Sequence, residues 1–371
     1  MCKKISFFLA VLALISPFCL CANALSTSAK GAILIEADSQ DVVFEKNADL
    51  ALPMASTTKI MTAIVAIEGC DDLDKIVKIH PDAVGIEGSS IYLKEGDSLS
   101  VRSLLYALLL ESANDASVAL AYATYGDLDT FIEKMNETAS ELGLESTHFM
   151  NTHGLDDKEH YTTAKDLAIL ARYALKNPVF SEICSTYKHT ISLNGDKDKR
   201  FLVNHNKLIR MYEGANGVKT GFTRLSGRCL VSSAKVDGVE LICVTLNDPN
   251  DWHDHTSLFD YGFSLYESVD LAKKGDYLIE IPIINGKKQT LCATNSDELS
   301  ITLKKGQNNI RAVLEYDHLL SAPISNGDIV GRVVFYNYDE KIGAINLIAT
   351  ENFKEITYKN FFERLFTNGK N

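Results

Sequence analysis

A serine three residues ahead of a lysine stands at Ser56-Thr57-Thr58-Lys59. Serine is a poor nucleophile until a base takes its proton. On a helix, positions i and i+3 share a face, so this spacing brings the Lys59 amine to the Ser56 hydroxyl. Desolvation or neighbouring cations leave such a lysine neutral enough to act as the base. The same pattern recurs at Ser185 with Lys188 and at Ser232 with Lys235, but both lie in β-like text, where i and i+3 point to opposite faces. Ser112-Ala113-Asn114 is a Ser-x-Asn. Ser112 can relay a proton, and Asn114 can hold an amide through a donor and an acceptor, although by itself the pair reads as helix capping. A second such pair, Ser192 with Asn194, ends a strand in a turn. Lys219-Thr220-Gly221 offers an ammonium and a hydroxyl to a carboxylate. Gly221 leaves room for a ligand along a strand edge, and the Phe222 N–H can donate to an oxyanion.

Elements must hold these residues in place. Residues 31–38 and 42–45 read as strands about a turn, and a helix is expected over 56–68. Ser100 is a suitable N-cap for an apolar helix through 110. Further helices are expected over 114–125 and 129–142, the second stopped at Gly143. A helix over 163–176 ends at Asn177-Pro178. Strands follow at 188–193 and 201–204, then at 228–235 and 239–246 about Asp237-Gly238, a hairpin signal. A helix over 252–266 closes this part. Strands from both ends of the stretch with helices between them predict an α+β domain. From about residue 270, short β-rich runs at 277–284, 299–303, 310–316 and 329–336 predict a small all-β domain.

The chain has 371 residues and a formal charge of −12, which leaves no general footprint for nucleic acid and means that an anionic ligand must be met by a few local cations. Lys3 and Lys4 precede an apolar run over 5–15 and a small-x-small site at Ala22-Asn23-Ala24, so a secretory leader cut after Ala24 is expected. Beyond it lie five cysteines, Cys70, Cys184, Cys229, Cys243 and Cys292; an odd number without paired spacing reads as small buried hydrophobes, not a disulfide framework. There is no CxxC and no HExxH, so neither a metal nor another cofactor is expected. The tail interleaves Ile356, Phe361, Phe362, Leu365 and Phe366 with Lys354, Lys359 and Arg364. It is expected either to lie on a membrane as an amphipathic helix or to dock on its own domain.

Ser-x-x-Lys, Ser-x-Asn and Lys-Thr-Gly, in that order, form the motif set of penicillin-binding proteins and class A β-lactamases, with Ala113 where that set has Asp. The chain resembles the low-molecular-weight penicillin-binding proteins, the serine D-alanyl-D-alanine carboxypeptidases. The likeness extends to Pro53-Met-Ala-Ser-Thr-Thr-Lys-Ile-Met-Thr62, Glu111-Ser-Ala-Asn-Asp-Ala116, Asn151-Thr-His-Gly-Leu-Asp156, His160-Tyr-Thr-Thr-Ala-Lys-Asp166 and Gly217-Val-Lys-Thr-Gly-Phe-Thr223, and covers about residues 29–267. It implies a β-lactamase/transpeptidase-like domain, an antiparallel sheet with helices, over 25–268. An all-β domain over 269–350 and a membrane-anchoring helix over 351–371 would follow.

The resemblance implies that Ser56 attacks the penultimate D-alanine carbonyl of a peptidoglycan stem to form an acyl-enzyme, with Lys59 as general base. Ser112 would pass the proton to the leaving amine, and Asn114 would position the stem amide. Lys219 and Thr220 would bind the terminal carboxylate beside Gly221. The amides of Ser56 and Phe222 would form the oxyanion hole. β-Lactams would trap Ser56. The implied location is extracytoplasmic, on the outer face of the cytoplasmic membrane. The alternatives are an endopeptidase or transpeptidase using the same serine, and a β-lactamase on the same fold. The sequence shows no clear glutamate for the deacylation water of a class A β-lactamase. A non-enzymatic wall binder would have no need of the nucleophile and base. One departure stands out. Some relatives carry an arginine near the substrate carboxylate where this chain reads Asp248-Pro-Asn-Asp-Trp-His-Asp-His255. His253 or His255 can substitute, though both read first as surface histidines capping a helix. His153 reads as a loop-stabilising residue.

Overall fold

The computed structural model describes residues 25–195 and 197–355. The expected leader and most of the expected tail helix lie outside the described residues. The chain opens with the hairpin β1 (Gly31–Glu36) and β2 (Val42–Lys46). A 3-10 turn, Ala55–Thr58, then leads into α1 (Lys59–Glu68). The short pair β3 (Ile76–Lys78) and β4 (Ser98–Ser100) brackets a long loop before α2 (Val101–Leu110), α3 (Asn114–Tyr125) and α4 (Leu128–Glu141). Next come α5 (Ala164–Leu175), α6 (Pro178–Ser185), the hairpin β5 (Lys188–Leu193) and β6 (Asp198–Val203), and the single turn α7 (Leu208–Met211). The first domain ends with β7 (Ala215–Thr223), β8 (Gly227–Val236), β9 (Val239–Leu246) and α8 (Asp251–Leu265).

Its antiparallel sheet runs β2-β1-β9-β8-β7, so strands from the two ends of the domain meet in the middle. Alternate residues serve opposite faces. Ile33 and Ile35 of β1 and Ile242, Val244 and Leu246 of β9 pack into the large core beneath α1 to α6. Leu34, Leu241 and Cys243 face the other way, against Leu258 and Phe259 of α8. With helices on both faces these strands read as nearly continuous apolar runs. Local chemistry sets the helix starts. Ser100 accepts from the Ser103 N–H, and Thr163 from the Asp166 N–H.

Two expectations are corrected. Asn177-Pro178 ends one helix but also begins another, because Asn177 accepts from Val179 and Phe180 N–H groups and Pro178 occupies the first helical position. Ser185 therefore ends a helix and does not lie in β structure. The nucleophile segment is also not one helix from Ser56; the serine sits in the preceding 3-10 turn.

Without a linker, α8 passes into β10 (Tyr266–Ala272), which pairs with β13 (Leu299–Lys304). A five-stranded antiparallel sheet completes the all-β part. It contains β11 (Leu278–Pro282), β12 (Thr290–Asn295), β14 (Ile310–Glu315), β15 (Ile329–Asn337) and β16 (Glu340–Ala349), in the order β11-β12-β16-β15-β14. It has its own core around Leu291, Val333, Phe335 and Leu347. Among the described residues no helix is long and apolar enough to cross a membrane. Cys70, Cys184, Cys229 and Cys243 are buried, Cys292 is half-buried, and all five are unpaired thiols.

Candidate active site

Ser56 lies in the tight turn before α1. In a 3-10 turn, residues i and i+3 eclipse more closely than in an α-helix, and the Lys59 Nζ is 2.9 Å from the Ser56 Oγ. The turn is strapped from within and from outside. Thr57 donates to the Met54 carbonyl and Thr58 to the Ala55 carbonyl. His160 extends the second strap. Its Nδ1 accepts from the Met150 N–H at 3.0 Å, which leaves the proton on Nε2 to face the Thr58 Oγ1 at 2.7 Å. Burial holds the His160 imidazole down to about 4, so this tautomer is neutral. Behind the turn Gly154, at φ +89°, comes so close that a Cβ there would fall 2.0 Å from the Ala55 carbonyl oxygen.

Lys59 is fully buried. Its other two contacts are carbonyl oxygens, Asn114 Oδ1 at 2.7 Å and His153 O at 2.6 Å. Neither can donate. A neutral amine therefore gives its two N–H bonds to them and turns its lone pair to the Ser56 hydroxyl. Desolvation, and then the nearby Lys219 charge, hold Lys59 well below the ordinary lysine value, against a smaller opposing pull from Asp115. His153, half-buried and held down to about 4 by burial, offers its backbone carbonyl, and its ring accepts from the Leu155 N–H.

Ser112 occupies the bend between α2 and α3 at φ +60°, a conformation uncommon for a residue with a side chain. Its hydroxyl accepts from Lys219 Nζ at 3.0 Å. Lys219 also donates to the Thr220 carbonyl, and burial brings it down to about 7. Asn114 faces inward: its oxygen takes Lys59 and its nitrogen donates to the Glu87 carbonyl. Asp115 clamps the loop above by accepting from the Ile91 and Leu93 N–H groups and the Ser90 hydroxyl.

Strand β7 is the sheet's edge, so its outer side is unpaired and can receive an extended peptide. Gly221 presses against the nucleophile turn; a Cβ on it would lie 3.0 Å from the Ser56 nitrogen and 3.1 Å from the Met54 carbonyl oxygen. Phe222 points its ring outward, 66% exposed. A cleft of about 340 Å³ joins Ser56, Ser112, Thr220 and Gly221. The structure thus brings together two hydrogen-bonded sets, Ser56 with Lys59 and Asn114, and Ser112 with Lys219, with Thr220, Gly221 and Phe222 along the neighbouring edge.

Sequence reasoning missed the rest of the cleft wall. His205 and Lys207 line it, and His205 lies 3.3 Å from Glu111, whose other oxygen accepts from the Val203 N–H. Arg228, opposite Phe222 in the strand register, is bound by both oxygens of Asp251 and stands over the Trp252 ring. Arg228, its charge met by Asp251, and Lys207 are thus the cations at this wall. The surface expectation for His255 is overturned: it is fully buried between Ser232 and Thr245, while His253 is exposed. Only the Asn204-His205-Asn206 run offered a local cue to this wall, since Asn206 ties it to β7 through the Gly217 carbonyl. Cys229, also in the wall, is pushed up to about 11 by burial and is no nucleophile at neutral pH.

Residues 20–250 match the family described as D-alanyl-D-alanine carboxypeptidase, and residues 266–355 match the C-terminal domain of penicillin-binding protein 5. The D-alanyl-D-alanine carboxypeptidase DacF of Bacillus subtilis (strain 168) is 35% identical over 349 residues, covering 92% of this chain and 90% of that protein. DacC of Escherichia coli (strain K12), of the same description, is 32% identical over 346 residues, 89% of this chain and 85% of its own. Among solved structures, penicillin binding protein 5 from Haemophilus influenzae aligns with a TM-score of 0.65 at 27% identity, covering 89% of this chain and 98% of its own.

Proposed function

Since the chain belongs to the D-alanyl-D-alanine carboxypeptidase family, we propose that it removes the terminal D-alanine from peptidoglycan stem peptides through an acyl-enzyme on Ser56. The observation that carries this reading is the Lys59 amine, buried among two carbonyl acceptors with its remaining direction toward Ser56 Oγ. In this reading the stem lies along the outer edge of β7. Neutral Lys59 takes the Ser56 proton as Oγ attacks the penultimate carbonyl. The Ser56 and Phe222 N–H groups meet the oxyanion. Ser112, polarised by Lys219, relays the proton from Lys59 to the departing D-alanine amine, receiving one as it gives one, and Lys219 with Thr220 holds the carboxylate of that D-alanine. Water then releases the shortened stem. Asn114 acts chiefly by fixing Lys59, with its outer lone pair and second N–H left for a stem amide. β-Lactams, which mimic the acyl-D-Ala-D-Ala end, acylate the same oxygen.

Peptidoglycan places this work outside the cytoplasm. A leader over 1–24 would deliver the catalytic domain (25–268) and the β-domain (269–350), and a helix over 351–371 would rest on the membrane's outer face. Incubating the full chain and Ser56→Ala with a peptide ending in D-Ala-D-Ala tests the central claim. Free D-alanine and covalent labelling by a fluorescent penicillin are expected from the wild type and from neither reaction of the variant. Release that survives in folded Ser56→Ala would remove Ser56 from the mechanism. Penicillin labelling without D-alanine release would move the activity to an endopeptidase or transpeptidase.

A further inference from the structure

The enzyme and its substrate share a sign of charge. The chain carries −12, and on the reading above every uncleaved stem ends in a carboxylate, repeated along a wall polymer. Repulsion between exposed charges acts over about 10 Å at ordinary ionic strength, so a polymer that threads a stem to Ser56 needs a local exception to the protein's field. One lies beside the cleft, on the β5–β6 hairpin.

Its register pairs Lys188 with Val203, Thr190 with Phe201 and Ser192 with Lys199. Directly opposed residues share a face, so one face carries Lys188, Thr190, Ser192, Lys199, Phe201 and Val203. It holds no acid, and Phe201 is 65% exposed. The other face packs inward through Ile191, Leu193 and Leu202, with His189 stacked on Tyr106 at 3.7 Å. The cationic face continues toward the site. Arg210 and Lys188 stand over the Tyr187 ring at 4.7 and 4.9 Å. Lys207, four residues past the end of β6, already lines the cleft.

Among the described residues, Lys188, Lys199, Lys207 and Arg210 form no salt bridge. Neighbouring acids are turned to other partners: Glu182 accepts from the Tyr106 hydroxyl, Asp198 from Asn194, and Glu111 from Val203. No acid among the described residues pairs with these cations, and the Tyr187 and Phe201 rings set between them add flat apolar area.

We propose that this outward hairpin face, extended by Arg210, is a docking surface for the peptidoglycan polymer, holding carboxylate-bearing stems and the strand that carries them while another stem occupies the cleft. The inference rests on the proposed substrate class. Its benefit is effective concentration: a polymer held at the hairpin presents its next stem to Ser56 without leaving the protein.

The test compares the full chain with K188Q/K199Q/R210Q and with the charge-conserving K188R/K199R/R210K. One substrate is a short acylated peptide ending in D-Ala-D-Ala; the other is insoluble peptidoglycan stripped of phosphate polymers. On the short peptide all three proteins should agree within about twofold. On stripped peptidoglycan at about 50 mM salt, the neutral variant should lose roughly tenfold or more in sedimented fraction and in D-alanine release. The charge-conserving variant should keep both, and about 300 mM salt should bring the wild type down to the neutral variant. Unchanged wall binding by the neutral variant overturns the proposal. So does an equal loss on the short peptide, which would mean that the hairpin acts on the site itself. Wild-type binding only to wall that retains its phosphate polymers would assign the face to those polymers instead. Absence of D-alanine release from the short peptide by the wild type would fail the carboxypeptidase reading, while the sedimentation arm would still report on the docking face.

Discussion

Lys59 must be neutral to take the Ser56 proton, and two forces act in that direction: burial, and then the charge of Lys219. Acylation should therefore rise with pH through a value well below that of free lysine, and fall again as Lys219, held down to about 7, loses the charge that polarises Ser112. Replacing Lys219 by Gln removes the Coulombic push, so the acid limb should move to higher pH while acylation slows. Stopped-flow acylation by a chromogenic β-lactam over about pH 5 to 10 checks both; an unmoved limb in the variant would show that burial alone sets Lys59. This pair was legible in the sequence because its spacing is local. Arg228 and His205 were not, because they reach the cleft through strand register and a loop held by Asn206. No pattern in the sequence places Arg228 beside Asp251 before the sheet is built.

Besides the His160 strap, the nucleophile turn is shaped by two glycines that approach it with backbone alone. Gly221 and Gly154 back it from the β7 edge and from the 151–156 loop. Gly221→Ala meets the turn at 3.0 Å, a contact that a few tenths of an ångström of strand movement can relieve. It should slow acylation by about tenfold or more, since catalytic geometry is lost at that scale, with little change in melting temperature. Gly154→Ala combines a left-handed φ with a Cβ driven into a carbonyl, and should also destabilise by about 1–3 kcal/mol. Parallel acylation rates and thermal melts separate the two. If Gly221→Ala acylates normally, the close approach of β7 is not part of the site. Most helices were legible because their caps are local: Ser100 and Thr163 mark the starts of α2 and α5. Helix α6 was hidden because Asn-Pro reads as a stop from one side and a start from the other. Among the strands not foreseen, β10 was hidden because it continues directly from α8, and β12 because half of its six residues are polar.

At the scale of the molecule, two cores lie in series, tied where Tyr266 is buried against the catalytic domain and Asp41 meets both Lys304 and the Tyr266 hydroxyl. The all-β part was legible as a class from its short runs and turns, but this tie, made by residues 225 or more positions apart in sequence, was not. The cores should answer acid differently. His160 and His255 are fully buried in the catalytic domain and held down to about 4 and about 3, and His153 is held down to about 4. Above pH 6.5 each is neutral whether folded or unfolded and contributes no pH dependence. As pH falls below 6.5 the unfolded chain takes up protons that the folded site refuses, so stability falls until the folded values are reached. Between about pH 7.5 and 5 this amounts to roughly 2 kcal/mol for each of His160 and His255, with His153 acting in the same direction. Asp248, raised by burial, works in the opposite sense and trims the loss. In the β-domain, His318 is exposed. Calorimetry of the full chain should then show the catalytic transition falling by on the order of 10 °C between about pH 7.5 and 5, while the β-domain transition stays near its place. His255→Gln should flatten the catalytic shift, because the amide can keep one of the two hydroxyl contacts without acquiring a proton. If both transitions move together, the interface is strong enough to make the two cores one cooperative unit, and the histidines report on the whole chain.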